Sequence, residues 1–125
     1  MNRDEVFDRG LALRERMFGA QGIADVEAAD DFTEKFQEVV TRECFGDIWS
    51  RDGLTPRERS MLTVAMLVAL NRTPQLRAHL AGALANGVTK EEIREVLLHA
   101  MLYAGIPAAL EGFRTATAVL EEAGR

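Results

Sequence analysis

Thiols are all but missing from this chain: Cys44 is its one cysteine in 125 residues. A lone cysteine excludes an intrachain disulfide and any C-x-x-C redox or zinc motif. Positive charge is short as well. The chain carries 15 Lys and Arg against 20 Asp and Glu, for a formal net charge of -5, and its pI is about 5.1. No basic stripe stands out, so a nucleic-acid partner is not expected. An anionic ligand needs local positive charge set against that background. Long apolar runs are also lacking. The longest, Met61 to Leu70, falls far short of the roughly 20 residues that span a bilayer. The charged start, MNRDEVFDRG, has no apolar core of an export signal. A cytoplasmic protein with no membrane partner is the expectation. No low-complexity segment, fixed-period repeat or convincing strand is present.

What is there reads as an all-α chain of about six helices in one domain, residues 1–125. The first helix is expected from about Arg3 to Phe18, with Val6, Phe7, Gly10, Leu11, Leu13, Met17 and Phe18 at helical spacing, and Gly19 and Gly22 ending it. Residues 19–30 read as a linker. Asp31 then caps a second helix, with Glu34 three residues on, and its apolar face is Phe32, Phe36, Val39, Val40 and Phe45. Gly46 and Gly53 bracket a connector that holds Trp49.

The next starts are sharper. Thr55-Pro56-Arg57-Glu58 pairs an N-cap and a first-turn proline with a box-closing glutamate, Thr73-Pro74 repeats the cap and proline, and Thr89 to Glu92 is a second capping box. Gly87 and Gly105 sit where C-cap glycines belong, and a last helix follows Pro107 to about Ala123. The segment Glu58 to Leu70 is apolar nearly all round, which predicts a buried central helix. Helical chains this short often bury more surface by oligomerising.

Both histidines lie in the second half. His79 falls near the middle of the helix from Pro74 to Ala85. An imidazole there can change protonation near neutral pH, as a proton donor must, but it can equally be a core histidine bonded to backbone. Glu95, His99 and Tyr103, at i, i+4 and i+8, share one stripe of a helix whose other face is Ile93, Val96, Leu97, Ala100 and Met101. That stripe reads as a solvated face or subunit contact, with a pocket lining as the functional reading. Among the arginines, Arg51 follows Trp49, Arg57 and Arg59 open the apolar helix, and Arg72 and Arg77 flank the turn before His79. Arginine forks hold carboxylates well, and Arg51 and Arg59 are the ones placed beside both a loop and a deep apolar helix. Trp49 fits either an apolar pocket wall or the core. Glu38, Glu43 and Glu58 read as helix-surface or capping residues, and Cys44 as a small buried apolar one.

The wording L-x-x-H-x-x-x-A-L-x-N-G-V-T-x-x-E-I-x-E-V-L-L-H from Leu76 to His99, with Y-A-G-x-P-A-A from Tyr103, resembles the carboxymuconolactone decarboxylase family. The segment FQEVVTRECFGDIWSRDGL from Phe36 narrows the likeness to the 4-carboxymuconolactone decarboxylase branch, so that the likeness covers more than half the chain. The resemblance implies an alkyl hydroperoxidase D-like bundle with no cofactor and no metal, a carboxylated lactone as substrate, and a homo-oligomer, hexamer or trimer. It implies loss of carbon dioxide from γ-carboxymuconolactone in protocatechuate breakdown. His79 matches the histidine of the family's helical motif and would serve catalysis, with Arg51, Arg59, Trp49 and Tyr103 binding substrate. The related disulfide-cycling peroxidases carry C-x-x-C-x-x-x-H, where this chain reads Arg72 to His79 without either thiol. Thiol peroxidase chemistry needs both. Two other readings stand beside the first: a cofactor-free lyase or isomerase of the same fold acting on another lactone or β-keto acid, and a non-catalytic helical oligomer that binds a small acid.

Overall fold

Asp4 opens the first helix. Its carboxylate accepts the Phe7 N–H at 3.0 Å, satisfying one of the donors that a helix start leaves over. The computed structural model describes residues 1–125, which form seven α-helices, a π-helix and their connections, without a strand. The chain divides into two units, Met1–Pro56 and Arg57–Arg125.

The first unit holds α1 (Glu5–Phe18), α2 (Ala20–Glu27), α3 (Glu34–Val39) and the π-helix (Val40–Ile48). The linker expected over residues 19–30 is thus mostly helix. Its short span lies between Gly19, at φ 65°, and the turn at Ala28, too few residues to show a period. The expected cap at Asp31 is not found: α3 begins at Glu34, with Thr33 at its N-cap and no side-chain bond there. Asp30 accepts from the Phe32 and Thr33 amides, and its own N–H donates to Thr33 Oγ1, a reciprocal lock that lies in the turn before α3. Phe32, Phe36 and Val39, expected as the packed face of this helix, are exposed, Phe32 by 80%.

Nor does Gly46 end the helix. The chain runs on as a π-helix, and the Trp49 N–H reaches back five residues to the Cys44 carbonyl at 2.8 Å. Thr41 contributes to the wide turn, because its hydroxyl takes the Gln37 carbonyl at 2.7 Å, the acceptor that its own N–H has in an α-helix. Glycines let α1 lie against this segment. A Cβ on Gly10 would sit 1.9 Å from the Thr41 oxygen, and one on Gly46 would sit 2.1 Å from the Val6 oxygen. Arg14, buried, then fastens four helices together: its Nε donates to the Gly22 carbonyl at 2.8 Å, and its Nη1 to Gln37 Oε1 and Thr41 Oγ1, both at 3.0 Å. Leu13, Met17, Phe45 and Trp49 form the apolar cluster beside it.

The second unit holds α4 (Pro56–Ala69) from its second residue on, α5 (Thr73–Ala85), α6 (Lys90–Ala104) and α7 (Ile106–Glu122). Its core is aliphatic: Val64 and Val68 from α4, Leu76, Leu80 and Ala83 from α5, Ile93 and Leu97 from α6, Ala108, Ala116 and Val119 from α7. Burying a side chain such as Leu80 or Leu97 contributes about 1.5–3 kcal/mol. Gly112 lets α7 approach, since a Cβ there would meet Leu97 Cδ2 at 3.0 Å and Val68 Cγ2 at 3.2 Å. Thr89 and Glu92 form the expected capping box, at 3.1 and 3.0 Å. Gly87 and Gly105 take positive φ at the ends of α5 and α6, as expected. Thr73 is the first residue of α5 and not its cap; Arg72 holds that place without a side-chain bond.

The expected buried central helix is not found. Only Ser60, Val64 and Val68 of α4 are buried, while Leu62, Met66 and Leu70 are exposed, Met66 by 59%. Four helices cannot surround one of their number on every side, so an all-apolar helix in so small a unit keeps an open face. Leu98, Leu102, Ile106 and Leu110 on α6 and α7 are exposed as well. No helix is long and apolar enough to cross a membrane.

Candidate active site

The residues singled out in the sequence fall in both units. Trp49 and Arg51 belong to the first. The π-helix ends at Ile48, and the turn after it is closed by four bonds: Trp49 N–H to the Cys44 carbonyl, Ser50 N–H to the Asp47 carbonyl at 3.3 Å, Ser50 Oγ to the Phe45 carbonyl at 2.7 Å, and Arg51 N–H to the Ile48 carbonyl at 3.2 Å. Trp49 is buried and stacks on Phe45, ring centres 5.8 Å apart. It therefore packs in the core and lines a cavity at once.

That cavity measures about 700 Å³ and is lined by Arg9, Ala12, Leu13 and Arg16 of α1 together with Trp49 to Asp52 and Leu54 to Pro56. The walls are apolar at Leu13, Trp49 and Leu54, and Arg9, Arg16 and Arg51 bring three cations against the one carboxylate of Asp52. Sequence reasoning missed Arg9 and Arg16. Their signal was spacing, because Arg9, Ala12, Leu13 and Arg16 stand at i, i+3, i+4 and i+7 and so share one face of a helix. Arg9 is anchored there by its Nε, which donates to the Gly46 carbonyl at 2.9 Å.

His79, Arg59 and Tyr103 belong to the second unit. His79 lies on α5, one residue before the fully buried Leu80. Its ring is largely buried, its Nδ1 entirely, and burial pushes the imidazole below its ordinary pKa of 6.5. The side chain is thus neutral at pH 7 in the free protein. Arg59 lies in the first turns of α4. Its Nε is buried and has no hydrogen-bond partner within the chain, which leaves it able to donate to a ligand oxygen.

The neighbouring arginines are differently placed. Arg57 pairs with Glu92, and Arg77 with Glu122, so both are engaged in joining helices. Ser60, fully buried next to Arg59, accepts from Asn86 Nδ2 at 3.0 Å and so ties α4 to the end of α5. Tyr103 is 83% exposed and lies beside His99, ring centres 5.4 Å apart; the stripe it shares with Glu95 and His99 faces outward. In the first unit, Glu43 pairs with Arg42, and Glu38 accepts from the Asn2 amide. Cys44 is half-buried and its thiol is pushed up by that burial, which suits a packing residue and not a nucleophile.

Comparison with known proteins completes the picture. Residues 34–118 match the model of the carboxymuconolactone decarboxylase family. The chain is 38% identical over 125 residues to a 4-carboxymuconolactone decarboxylase of Acinetobacter baylyi, covering 99% of this chain and 93% of that one. It is 36% identical over 107 residues to a nitrosuccinic acid decarboxylase of Metarhizium robertsii, covering 85% of this chain and 75% of that one. An uncharacterised 15.0 kDa protein of Paracoccus denitrificans is 34% identical over 100 residues, covering 78% of this chain and 75% of that one. A family match that takes in most of the chain, with a relative's likeness along nearly all of it, places this protein in the carboxymuconolactone decarboxylase family.

Proposed function

We propose that the protein is a carboxy-lyase that converts γ-carboxymuconolactone to β-ketoadipate enol-lactone and carbon dioxide, in the degradation of protocatechuate in the cytoplasm. The observation that carries this reading is the likeness to a 4-carboxymuconolactone decarboxylase along nearly the whole chain. The substrate supplies its own electron sink. The departing carboxylate is joined through a carbon–carbon double bond to the lactone carbonyl. As the bond to carbon dioxide breaks, its electron pair spreads through that double bond onto the carbonyl oxygen as a dienolate. One proton added at the carbon next to the carbonyl then gives the product. The protein's task is to hold the remaining carboxylate, stabilise the dienolate oxygen and return the proton.

His79 is assigned the dienolate oxygen and the proton. It is neutral in the free protein because it is buried, and a dianionic substrate close by favours its charged form. Substrate binding thus loads the proton that the reaction uses. Arg59, with its buried Nε awaiting an acceptor, and Arg51 hold carboxylates, and Trp49 walls the site. The fold is taken as alkyl hydroperoxidase D-like and the chain as one working domain, since the family match runs through both units. The exposed apolar residues of α4, α6 and α7 are assigned to a homo-oligomer, a hexamer or trimer, in which the outward-facing Tyr103 meets substrate.

The test follows loss of ultraviolet absorbance and release of carbon dioxide from freshly made γ-carboxymuconolactone. His79→Ala is expected to lower turnover by ~100-fold or more, the usual scale for a lost acid–base group, with helix content unchanged. Near-normal turnover in that variant would remove His79 from the mechanism. A second reading is favoured by the nitrosuccinic acid decarboxylase relative: a cofactor-free lyase of the same fold acting on another acid that carries its own electron-accepting group. Turnover of nitrosuccinate with none of the lactone would establish that reading in place of the first.

A further inference from the structure

We propose that the cavity of the first unit is a dicarboxylate-binding site in which Arg9, held by the π-helix, grips the carboxylate that is not lost. Three observations meet there. The first is the lining, apolar at Ala12, Leu13, Trp49 and Leu54 and cationic at Arg9, Arg16 and Arg51. In a chain of net charge -5, such a surplus of arginine over carboxylate in one recess of about 700 Å³ selects anions with an apolar middle.

The second is the state of Arg9. Its Nε is spent on the Gly46 carbonyl at 2.9 Å, which fixes the plane of the guanidinium and leaves the two Nη groups to donate. A fork oriented before the ligand arrives loses less freedom on binding a carboxylate than a loose side chain does.

The third is where the anchor comes from. Gly46 lies within the π-helix, and its lack of a side chain is what allows α1, and with it Arg9, to come so near. The backbone that carries Trp49 therefore also aims Arg9. Arg51 stands on the turn that follows and forms no salt bridge, so its charge is available to the same recess. Arg9 is a binding residue on this account, and Gly46 positions it.

Naming the ligand as a substrate carboxylate rests on the reaction proposed above; the site itself does not. Trp49 is the chain's one tryptophan, so its emission reports on this recess. The probe is adipate, which has two carboxylates on a short apolar chain and no electron sink through which to lose carbon dioxide. Adipate is expected to shift Trp49 emission saturably, hexanoate to act more weakly, and 1,6-hexanediol not at all. Arg9→Gln should weaken adipate by about tenfold or more, the scale of a lost charge-assisted bond. Arg9→Lys should be nearly as weak, because an ammonium cannot serve the Gly46 carbonyl and a carboxylate as a fork does.

Arg51→Gln, on a turn where no packing is lost, should weaken adipate severalfold and guards against a folding defect in the Arg9 variants. With the lactone, Arg9→Gln should raise KM more than it lowers kcat, and adipate should compete. Adipate that leaves the wild-type emission unchanged, or that binds Arg9→Gln as tightly as wild type, overturns the site. Adipate binding that Arg9→Gln weakens, in a protein that does not turn over the lactone, refutes the proposed reaction and upholds the site.

Discussion

The two units of this chain are held together by different means. Met1–Pro56 relies on backbone touching backbone at Gly10 and Gly46, and on the buried Arg14 shared among Gly22, Gln37 and Thr41. Arg57–Arg125 relies on an aliphatic core with Leu80, Ala83 and Leu97 at its centre. A cation with several fixed acceptors defines one arrangement and tolerates no other, whereas aliphatic packing is forgiving so long as volume is kept. The unit with the polar lock also carries the cavity. The difference suggests that geometry there is set by bonds that have direction.

Gly10→Ala should break the comparison most severely. The added methyl has backbone on its far side, not a flexible side chain, so about 3 kcal/mol or more of stability should be lost. Urea unfolding followed by Trp49 emission measures it, and a loss below about 1 kcal/mol would show that the helices can part cheaply. Arg14→Met and Leu80→Ala come next, at about 2–4 kcal/mol each, one by orphaning three acceptors and the other by opening a cavity. Thr41→Val should cost less on top of Arg14→Met than it does alone, since the two share one bond and only the Thr41 bond to the Gln37 carbonyl is left to lose, yet should add fully to Leu80→Ala. Full additivity in both pairs would argue against a lock. Thr89→Ala should cost about 1 kcal/mol by removing one half of the capping box, with the loss seen in thermal unfolding.

Acid gives the finest comparison. Burial holds His79 below 6.5, so as pH falls the unfolded chain takes up that proton first. The stability tied to it is full above 6.5 and is lost as pH drops toward the lowered value. Asp4 is held at about 2, first by its bond from Arg42 and then by the Phe7 amide, against an ordinary value of 3.8. Its contribution is full above 3.8 and is lost as pH falls through about 2. His79→Gln should therefore flatten the upper part of the acid limb and leave the lower part, and Asp4→Asn should do the reverse. Both variants flattening the same part would mean that the two groups do not titrate apart.

Much of the second unit was legible in the sequence because its signals are local. Thr89 and Glu92 lie within one turn, and Gly87 and Gly105 mark positive φ by their own nature. The first unit was harder to read because its determinants join residues far apart in sequence, such as Arg9 with Gly46 and Arg14 with Thr41. The winding of Val40–Ile48 has no period in the sequence that distinguishes it from an α-helix, so Gly46 read as a stop. The apolar run of α4 spoke truly of hydrophobicity and was silent on what covers it. At the candidate site, Trp49 and Arg51 were legible beside a glycine-bracketed loop. Arg9 and Arg16 were not, since charges on a helix usually face solvent. The case for His79 came from its motif, as no periodicity sets a working histidine apart from a buried one.

The π-helix has one more consequence, in angular terms. A π turn advances each residue through a smaller angle than an α turn. Over the nine residues from Val40 to Ile48, that shortfall accumulates into a large change of phase. Trp49 and Arg51 therefore leave the helix pointing where an α-helix of the same sequence would not send them. The direction in which the cavity wall faces is a property of how the preceding segment is wound. Any change that let Val40–Ile48 rewind to α geometry would swing that wall away without altering a single residue in it.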